Sequence, residues 1–508
     1  MAVSARGRGF LRSIGVVALL GFLATLAWVF PAVYANRYEP AAAPAAATSA
    51  APQALSAVTR PALRLGALHP KPSAAQDRIF TEQAARAPHP GVAVEGRDGY
   101  LFLGDNYLSN FSQALGRRYY SPEEVARTSA TIESERSWLN ARKIPMELIL
   151  SPAKWSIYPD KLQAWTSSQG LQHITDQLLA YDPRSILDLR PDLGTARTSH
   201  QTYSKKNSHW TPYGGYVAYT SIVRQLRAQH LELGTLRVPI LSSVTTVNEQ
   251  NEFAALTKDP GPNDWTVPHF SPGLPAYDLI LANGVRARQA PGTLVDITQA
   301  PLQTASPSAG NKHRVLILGD SSLTSLSPYL ATAFASTLIV RHFIDNPDRA
   351  PSIAALVESY HPDLVLTITA ERNLDIPIGD LEMWQSALDY DKAATSPTAS
   401  WTAGGASGST ISVVGPANLS GPLTITLPSR LTTSAAIRFS VNSTAPATVE
   451  LRGATKAGPF SVPLRIGPGS NTTFAAVPTG VTDRRLTLVR ASGSGVVTAR
   501  EVSVRGLP

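Results

Sequence analysis

Two residues have the type and setting for nucleophilic chemistry. The first is Ser321, at the end of Val315-Leu316-Ile317-Leu318-Gly319-Asp320-Ser321. Four apolar residues of strand character run into Gly-Asp-Ser, and the carboxyl end of a parallel strand is where open α/β sheets place their sites. Gly319 lets the backbone turn sharply, and amides at the start of the following helix could hold a developing oxyanion. A turn with an N-capping serine is the ordinary alternative. The second residue is His209, one of ten histidines, in Asn207-Ser208-His209-Trp210-Thr211-Pro212-Tyr213. Thr211 as N-cap and Pro212 at the first helical position fix a helix start just beyond it. A histidine on a loop locked by a helix start and two aromatics can serve as the general base of a serine. The ordinary alternative is a histidine packed on Trp210.

The surrounding elements alternate. Ser121-Pro122-Glu123-Glu124 opens a helix towards Arg142, with cap, proline and first-turn acids in order. Apolar runs at Met146–Leu150, Val315–Leu318, Leu338–Phe343 and Leu364–Thr369 alternate with helical patterns such as Pro212–Gln229 and Ser352–Tyr360. That order predicts an α/β domain, a parallel sheet covered on both faces. Val244–Ala300, rich in Pro, Gly and Asn, reads as an irregular insertion. After about Thr410 the pattern changes to short alternating strands punctuated by turn residues, as in a β-sandwich: Leu423–Leu427, Ala436–Val441, Thr448–Leu451, Phe460–Ile466, Leu486–Val489 and Val502–Val504.

The ends place the chain. Arg6, Arg8 and Arg12 precede an uncharged apolar stretch, Ser13–Tyr34, in a chain of 508 residues. At 1.5 Å per residue it reaches roughly 33 Å, enough to cross a bilayer core. The basic flank predicts a cytoplasmic N-terminus and an extracytoplasmic body, periplasmic on this reading. A signal peptide cleaved near Val33-Tyr34-Ala35 is the alternative, and export follows either way. The expected organisation is an anchor or signal segment (1–38), an Ala/Pro-rich linker (39–90), an α/β domain (91–392), a second linker (393–409) and a β-sandwich (410–508). Cysteine is absent, which excludes disulfides, thiolate catalysis and Cys-bound zinc. Neither a metal nor a cofactor is expected. Net charge is +8, and from Ser400 onward ten cations stand against Glu450, Asp483 and Glu501, a net of +7. For an exported chain this favours anionic polysaccharide or a membrane surface over nucleic acid.

Five segments in order resemble the alginate O-acetyltransferase family: Gly96-Arg97-Asp98-Gly99-Tyr100-Leu101-Phe102; Ser151-Pro152-Ala153-Lys154 with Tyr158-Pro159; Asn207-Ser208-His209-Trp210; Gly319-Asp320-Ser321; and Glu371-Arg372. The resemblance covers about Val92–Lys392. Histidine precedes serine, as in that family and unlike ordinary Gly-Asp-Ser hydrolases. The resemblance implies an SGNH-hydrolase-like, flavodoxin-like fold, a transiently acetylated Ser321 and a carbohydrate-binding tail. It also implies an integral-membrane O-acyltransferase as acetyl donor and an exported polysaccharide as acceptor. Lys154, Tyr158 and Arg372 are then candidate substrate-binding residues; a solvated lysine and a buried Arg ion pair are the ordinary readings of the two cations. Asn207 departs from the family's Asp, and an amide orients a histidine but barely stabilises an imidazolium. Asp188 or Asp192 could supply the missing carboxylate. Ser322, where relatives often carry an aromatic, is a smaller departure. An acetyl esterase and a catalytically weak polysaccharide-binding scaffold are the competing functions.

Overall fold

The computed structural model describes residues 72–507, except 87–90, 170–172, 230–232, 234–235, 249–251, 259–263, 343–351, 377, 396–401, 404–405, 408–410, 420–422, 428–433 and 494. The apolar segment Ser13–Tyr34 lies outside the described residues. Among those described, no helix is long and apolar enough to cross a membrane.

Within the stretch expected to be spacer, Ala74–Arg86 (α1) is a helix. Its Phe80 packs against the main core, and Asp77 pairs with Arg117 at 2.5 Å. The sequence signal was weak because a single aromatic anchors an otherwise polar helix.

A short hairpin follows, Ala93–Glu95 (β1) with Leu101–Leu103 (β2). The central sheet has eight strands. In chain order they are Met146–Ser151 (β3), Leu187–Asp188 (β4), Tyr277–Leu281 (β7), Arg286–Gln289 (β8), Leu302–Ala305 (β9), Arg314–Gly319 (β10), Ser336–Arg341 (β11) and Leu364–Ala370 (β12); the numbers β5 and β6 belong to a separate ribbon, Leu241–Val247 with Trp265–Phe270. The spatial order is β4-β3-β12-β10-β11-β9-β7-β8. The first five are parallel; β9, β7 and β8 extend the sheet in antiparallel pairing. The region read as an irregular insertion therefore contributes two strands to the sheet and a separate ribbon. Its two sheet strands are short, β7 half-buried and the edge strand β8 exposed, so they lack the long apolar run that marks a central strand.

The parallel core shows why both faces must be covered. Along β10, Val315 and Ile317 join the core built on Pro212–Ala228 (α3) and Leu323–Ala333 (α5). Leu316 and Leu318 alternate to the other face and meet Pro122–Asn140 (α2), Ile353–Tyr360 (α6) and Leu381–Thr395 (α7). An all-apolar strand is the expected product of that double burial. Helix starts follow the sequence signals: Ser121 and Glu124 form a reciprocal capping box, and Thr211 Oγ1 accepts from Gly214 N at 3.1 Å.

The tail is a sandwich of two four-stranded antiparallel sheets. Its strands are Ile411–Asn418 (β13), Leu423–Thr426 (β14), Ala435–Ser443 (β15), Ala447–Thr455 (β16), Gly458–Ile466 (β17), Gly469–Val477 (β18), Arg485–Gly493 (β19) and Val497–Gly506 (β20), ordered β13-β20-β15-β18 and β14-β19-β16-β17. Phe474 of β18 and Ala436 of β15 pack on Trp138, Trp384 and Tyr390 of the α/β domain. Among the described residues, the tail's arginines divide between the domain junction and the outer faces of the sheets. Arg438 bonds Glu358 and Glu501, and Arg505 sits 3.8 Å over the Tyr390 ring at the junction. Arg452 pairs with Glu450 and Arg485 with Asp483 on the other sheet, while Arg465 and Arg500 are exposed. Arg452, Arg465 and Arg485 alternate with buried residues and so share the outer face of that second sheet, with Glu450 and Asp483 beside two of them.

Candidate active site

The site forms at the carboxyl edge of β10, as the strand-end rule predicts. Beyond Gly319, a Cβ at that position would stand 2.9 Å from Leu323 Cδ2, so glycine lets the helix α5 close tightly over the turn. Asp320 is fully buried. Its Oδ1 accepts from Ser322 N (2.9 Å) and from the Ser322 hydroxyl; its Oδ2 accepts from Ala370 N (2.6 Å) and Asn373 Nδ2 (2.8 Å). Burial alone would raise its pKa, but His342 and these donors hold it well below the usual carboxylate range. Asp320 is thus a structural anion that ties the nucleophile turn to the end of β12. Of the amides at this helix start, one is committed. The Ser322 amide at the helix start is engaged by Asp320 and is not available to an oxyanion.

His209 Nε2 lies 2.8 Å from Ser321 Oγ. On the far side of the ring, Nδ1 is 3.0 Å from Asn207 Oδ1, which also accepts from the His209 backbone N at 3.0 Å. Two N–H donors converging on one atom identify it as the amide oxygen. They place the proton on Nδ1, leaving Nε2 to accept from serine.

Several contacts place this loop over Ser321. Trp210 is buried, and its Nε1 donates to Ser322 O at 2.8 Å. Gly214 and Gly215 permit close approach, since a Cβ would stand 2.3 Å from Thr202 O and 2.5 Å from Ser325 O respectively. Lys154 is 4% exposed, and its ammonium donates to the carbonyls of Ser204 (3.0 Å), Lys205 (2.9 Å) and Asn207 (2.9 Å). Burial lowers its pKa to about 7 against the pull of Glu252 and Asp264. Asp264 completes the clamp, accepting from Ser204 Oγ and Lys205 N at 2.8 Å each.

The residues named from sequence therefore separate. Ser321, His209 and Asn207 form one hydrogen-bonded chain. Lys154 clamps the loop, and Tyr158 is buried with its hydroxyl accepting from Thr202 N at 3.0 Å, so neither presents its polar end as a free ligand contact. Arg372 lines a small cavity of about 20 Å³ beside His209, shared with Asn110, Pro152, Ser208 and Trp210. Glu371, its neighbour, is structural: it accepts from Ala153 N (2.8 Å), Thr175 Oγ1 (2.6 Å) and the Ser156 hydroxyl. Asp188 is paired with Arg190, and Asp192 with Arg224 and Ser221; neither is the carboxylate behind His209. That place is held by Glu252, whose Oε2 is 3.6 Å from His209 Nδ1. Glu252 opens a six-residue helix, Glu252–Thr257 (α4), in the segment read as irregular. No spacing signal links positions 209 and 252; the contact is made by folding. Among the described residues no cluster of three or more His, Asp or Glu could hold a metal ion.

The class that this fold and site define is a mixed α/β sheet with a hydrogen-bonded Ser–His pair at its carboxyl edge. Residues 93–262 match the family model described as SGNH hydrolase-like domain, acetyltransferase AlgX. The chain is 24% identical over 164 residues to the probable alginate O-acetylase AlgJ of Pseudomonas aeruginosa, covering 32% of this chain and 38% of that protein. It is 22% identical over 195 residues to the Azotobacter vinelandii protein of the same description, covering 38% and 44%. The chain thus spans about two fifths of the length of these relatives. Pseudomonas aeruginosa AlgX is a similar solved structure, with 13% identity, a TM-score of 0.47, and coverage of 82% of this chain and 95% of that one. The family match and the two relatives support the alginate O-acetyltransferase family.

Proposed function

We propose that the chain is a serine-dependent O-acetyltransferase acting on an exported polysaccharide. The observation that carries this reading is the unbroken chain Asn207 Oδ1–His209–Ser321 Oγ, with contacts of 3.0 and 2.8 Å. His209 Nε2 takes the Ser321 proton as Oγ attacks the acetyl carbonyl, and returns it to the departing group. The acetyl-serine is then resolved by a sugar hydroxyl, which His209 deprotonates in turn, passing that proton to Ser321 Oγ as it leaves the acyl carbon. Arg372, on the cavity wall, is the candidate contact for the acyl oxygen or the sugar. Lys154 and Tyr158 act at one remove, by holding the histidine loop and its surroundings. The family similarity supports a polysaccharide as acceptor and, by the same resemblance, a membrane-bound O-acyltransferase as acetyl source. The N-terminal apolar segment would keep the domain at the membrane.

The test uses the full chain with p-nitrophenyl acetate and a soluble uronic-acid oligosaccharide. Expected are release of p-nitrophenol, an acetyl group on Ser321 in intact-mass spectra, and acetylated oligosaccharide, all absent in Ser321→Ala. Release of acetate with no acetylated oligosaccharide would make the protein an esterase. No Ser321-dependent turnover would leave the binding scaffold.

A further inference from the structure

Asn207 leaves the histidine with an orienting hydrogen bond but no charge. Asn207 Oδ1 fixes the ring and its tautomer, yet a neutral dipole does little for the imidazolium that forms as Ser321 attacks. Three acids near the site in sequence or space are committed elsewhere: Asp188 to Arg190, Asp192 to Arg224, and Asp264 to Ser204 and Lys205.

Glu252 differs in what it faces. Its Oε2 accepts from Ser208 N at 2.6 Å and stands 3.6 Å from His209 Nδ1. Its Oε1 accepts from Ser208 Oγ at 3.0 Å, and that hydroxyl is 3.4 Å from the same ring nitrogen. The carboxylate therefore touches the imidazole region along two routes, one through space and one through Ser208. Its support is rigid. Phe253, the next residue, is fully buried against Ala93, Leu101 and Leu103 of the β1–β2 hairpin, and Phe253 N reaches Lys206 O at 3.4 Å.

We infer that Glu252 is the positioning residue that supplies the negative charge behind His209, while Asn207 retains only the orienting bond. The role usually held by one aspartate is divided between two side chains from separate segments. During attack the serine proton moves from Ser321 Oγ to His209 Nε2; the Nδ1 proton stays on the ring and Glu252 remains a carboxylate. Burial opposes ionisation of Glu252, but His209 and the Ser208 donors outweigh it and hold its pKa down to about 2. The other titratable neighbours are Lys154, which acts electrostatically on Glu252, and Tyr107, whose pKa burial raises with Glu252 adding to the effect. The His209 ring and the two Ser208 donors together favour the carboxylate form of Glu252.

This inference rests on the proposed Ser321–His209 centre, and the experiment separates the two. Ser321 of the full chain is labelled with phenylmethylsulfonyl fluoride, its rate followed by intact mass from about pH 5 to 9, beside p-nitrophenyl acetate turnover. In Glu252→Gln, the plateau rate falls on the order of 10²-fold, and the midpoint of the rate profile moves to lower pH because a nearby anion no longer favours the protonated ring. Asn207→Asp in the Glu252→Gln background restores both to near the native values, whereas Asn207→Asp alone gains less than about threefold, since two like charges then crowd one ring. An unchanged midpoint in Glu252→Gln, with Ser321 still labelled, overturns the role of Glu252 alone. A gain of tenfold or more in Asn207→Asp alone does the same, and needs no Glu252 variant to fold. A native chain whose Ser321 is never labelled overturns the centre itself.

Discussion

Ser321 and His209 stand 2.8 Å apart but are held by different kinds of structure. Ser321 follows a strand flanked on both sides by parallel neighbours, β11 and β12, with Val315 to Leu318 buried. Its position follows from a ladder of backbone bonds and two apolar faces. His209 follows a loop whose carbonyls are gathered by one ammonium, that of Lys154, and whose far side leans on Asp264 and Glu252. A strand end cannot shift unless the sheet does, whereas a clamped loop can shift when a single side chain is removed. Mutations on the two arms should therefore separate stability from activity.

Ser321→Ala should have the largest effect. Acetyl-ester turnover falls by a factor on the order of 10⁶, the scale seen when a serine nucleophile is removed, while thermal melting is unchanged. Turnover that survived would move the nucleophile elsewhere and dissolve the comparison. Leu318→Ala tests the strand arm: it cuts a fully packed side chain from the core, so urea unfolding should show a loss of about 2–5 kcal/mol. Activity per folded molecule should stay within about threefold. A large activity loss in the folded protein would mean the strand end is not rigidly held.

Lys154→Met tests the loop arm. The three carbonyls lose their shared donor, the loop relaxes, and kcat/KM falls by about 10²-fold, the usual result of displacing a catalytic group by roughly 1 Å. Amide hydrogen exchange should rise at residues 204–207 while β10 stays protected; equal loss of protection in both would show that the arms are not independent. Arg438→Ala should do least. Its partners Glu358 and Glu501 are 37% and 43% exposed, so the change costs under about 1 kcal/mol by thermal melting. Small-ester turnover should not change, because the junction with the sandwich lies away from the Ser321 edge.

Much of the strand arm was legible in the sequence. Val315–Leu318 and Leu364–Thr369 announce buried strands because burial on both faces demands uninterrupted apolar residues, and that demand is local. Helix starts at Ser121 and Thr211 were legible for the same reason, since caps and first-turn prolines act within a few residues. Six of the eight sandwich strands carried visible alternation; β13 and β18 did not, β18 because Ser470 to Thr473 are four polar residues in a row before Phe474. The antiparallel extension β9-β7-β8 also escaped notice, because its strands are short and only partly buried.

What the sequence by itself determined is the parallel strands, the capped helices and the two residues, Ser321 and His209, placed at their ends. Only the tertiary structure decided who stands behind the histidine. Asn207 shows that the expected acid is missing, but Asp188, Asp192 and Glu252 are equally acidic on paper. Folding commits the first two to Arg190 and Arg224 and brings Glu252 to 3.6 Å from the ring, across 43 residues of chain. Folding likewise divides the tail's arginines, drawing Arg438 and Arg505 into the domain junction. Backbone pattern is set by contacts a few residues apart. The partner of a charge is set by which distant surfaces must pack to bury their apolar sides, and that is not written locally.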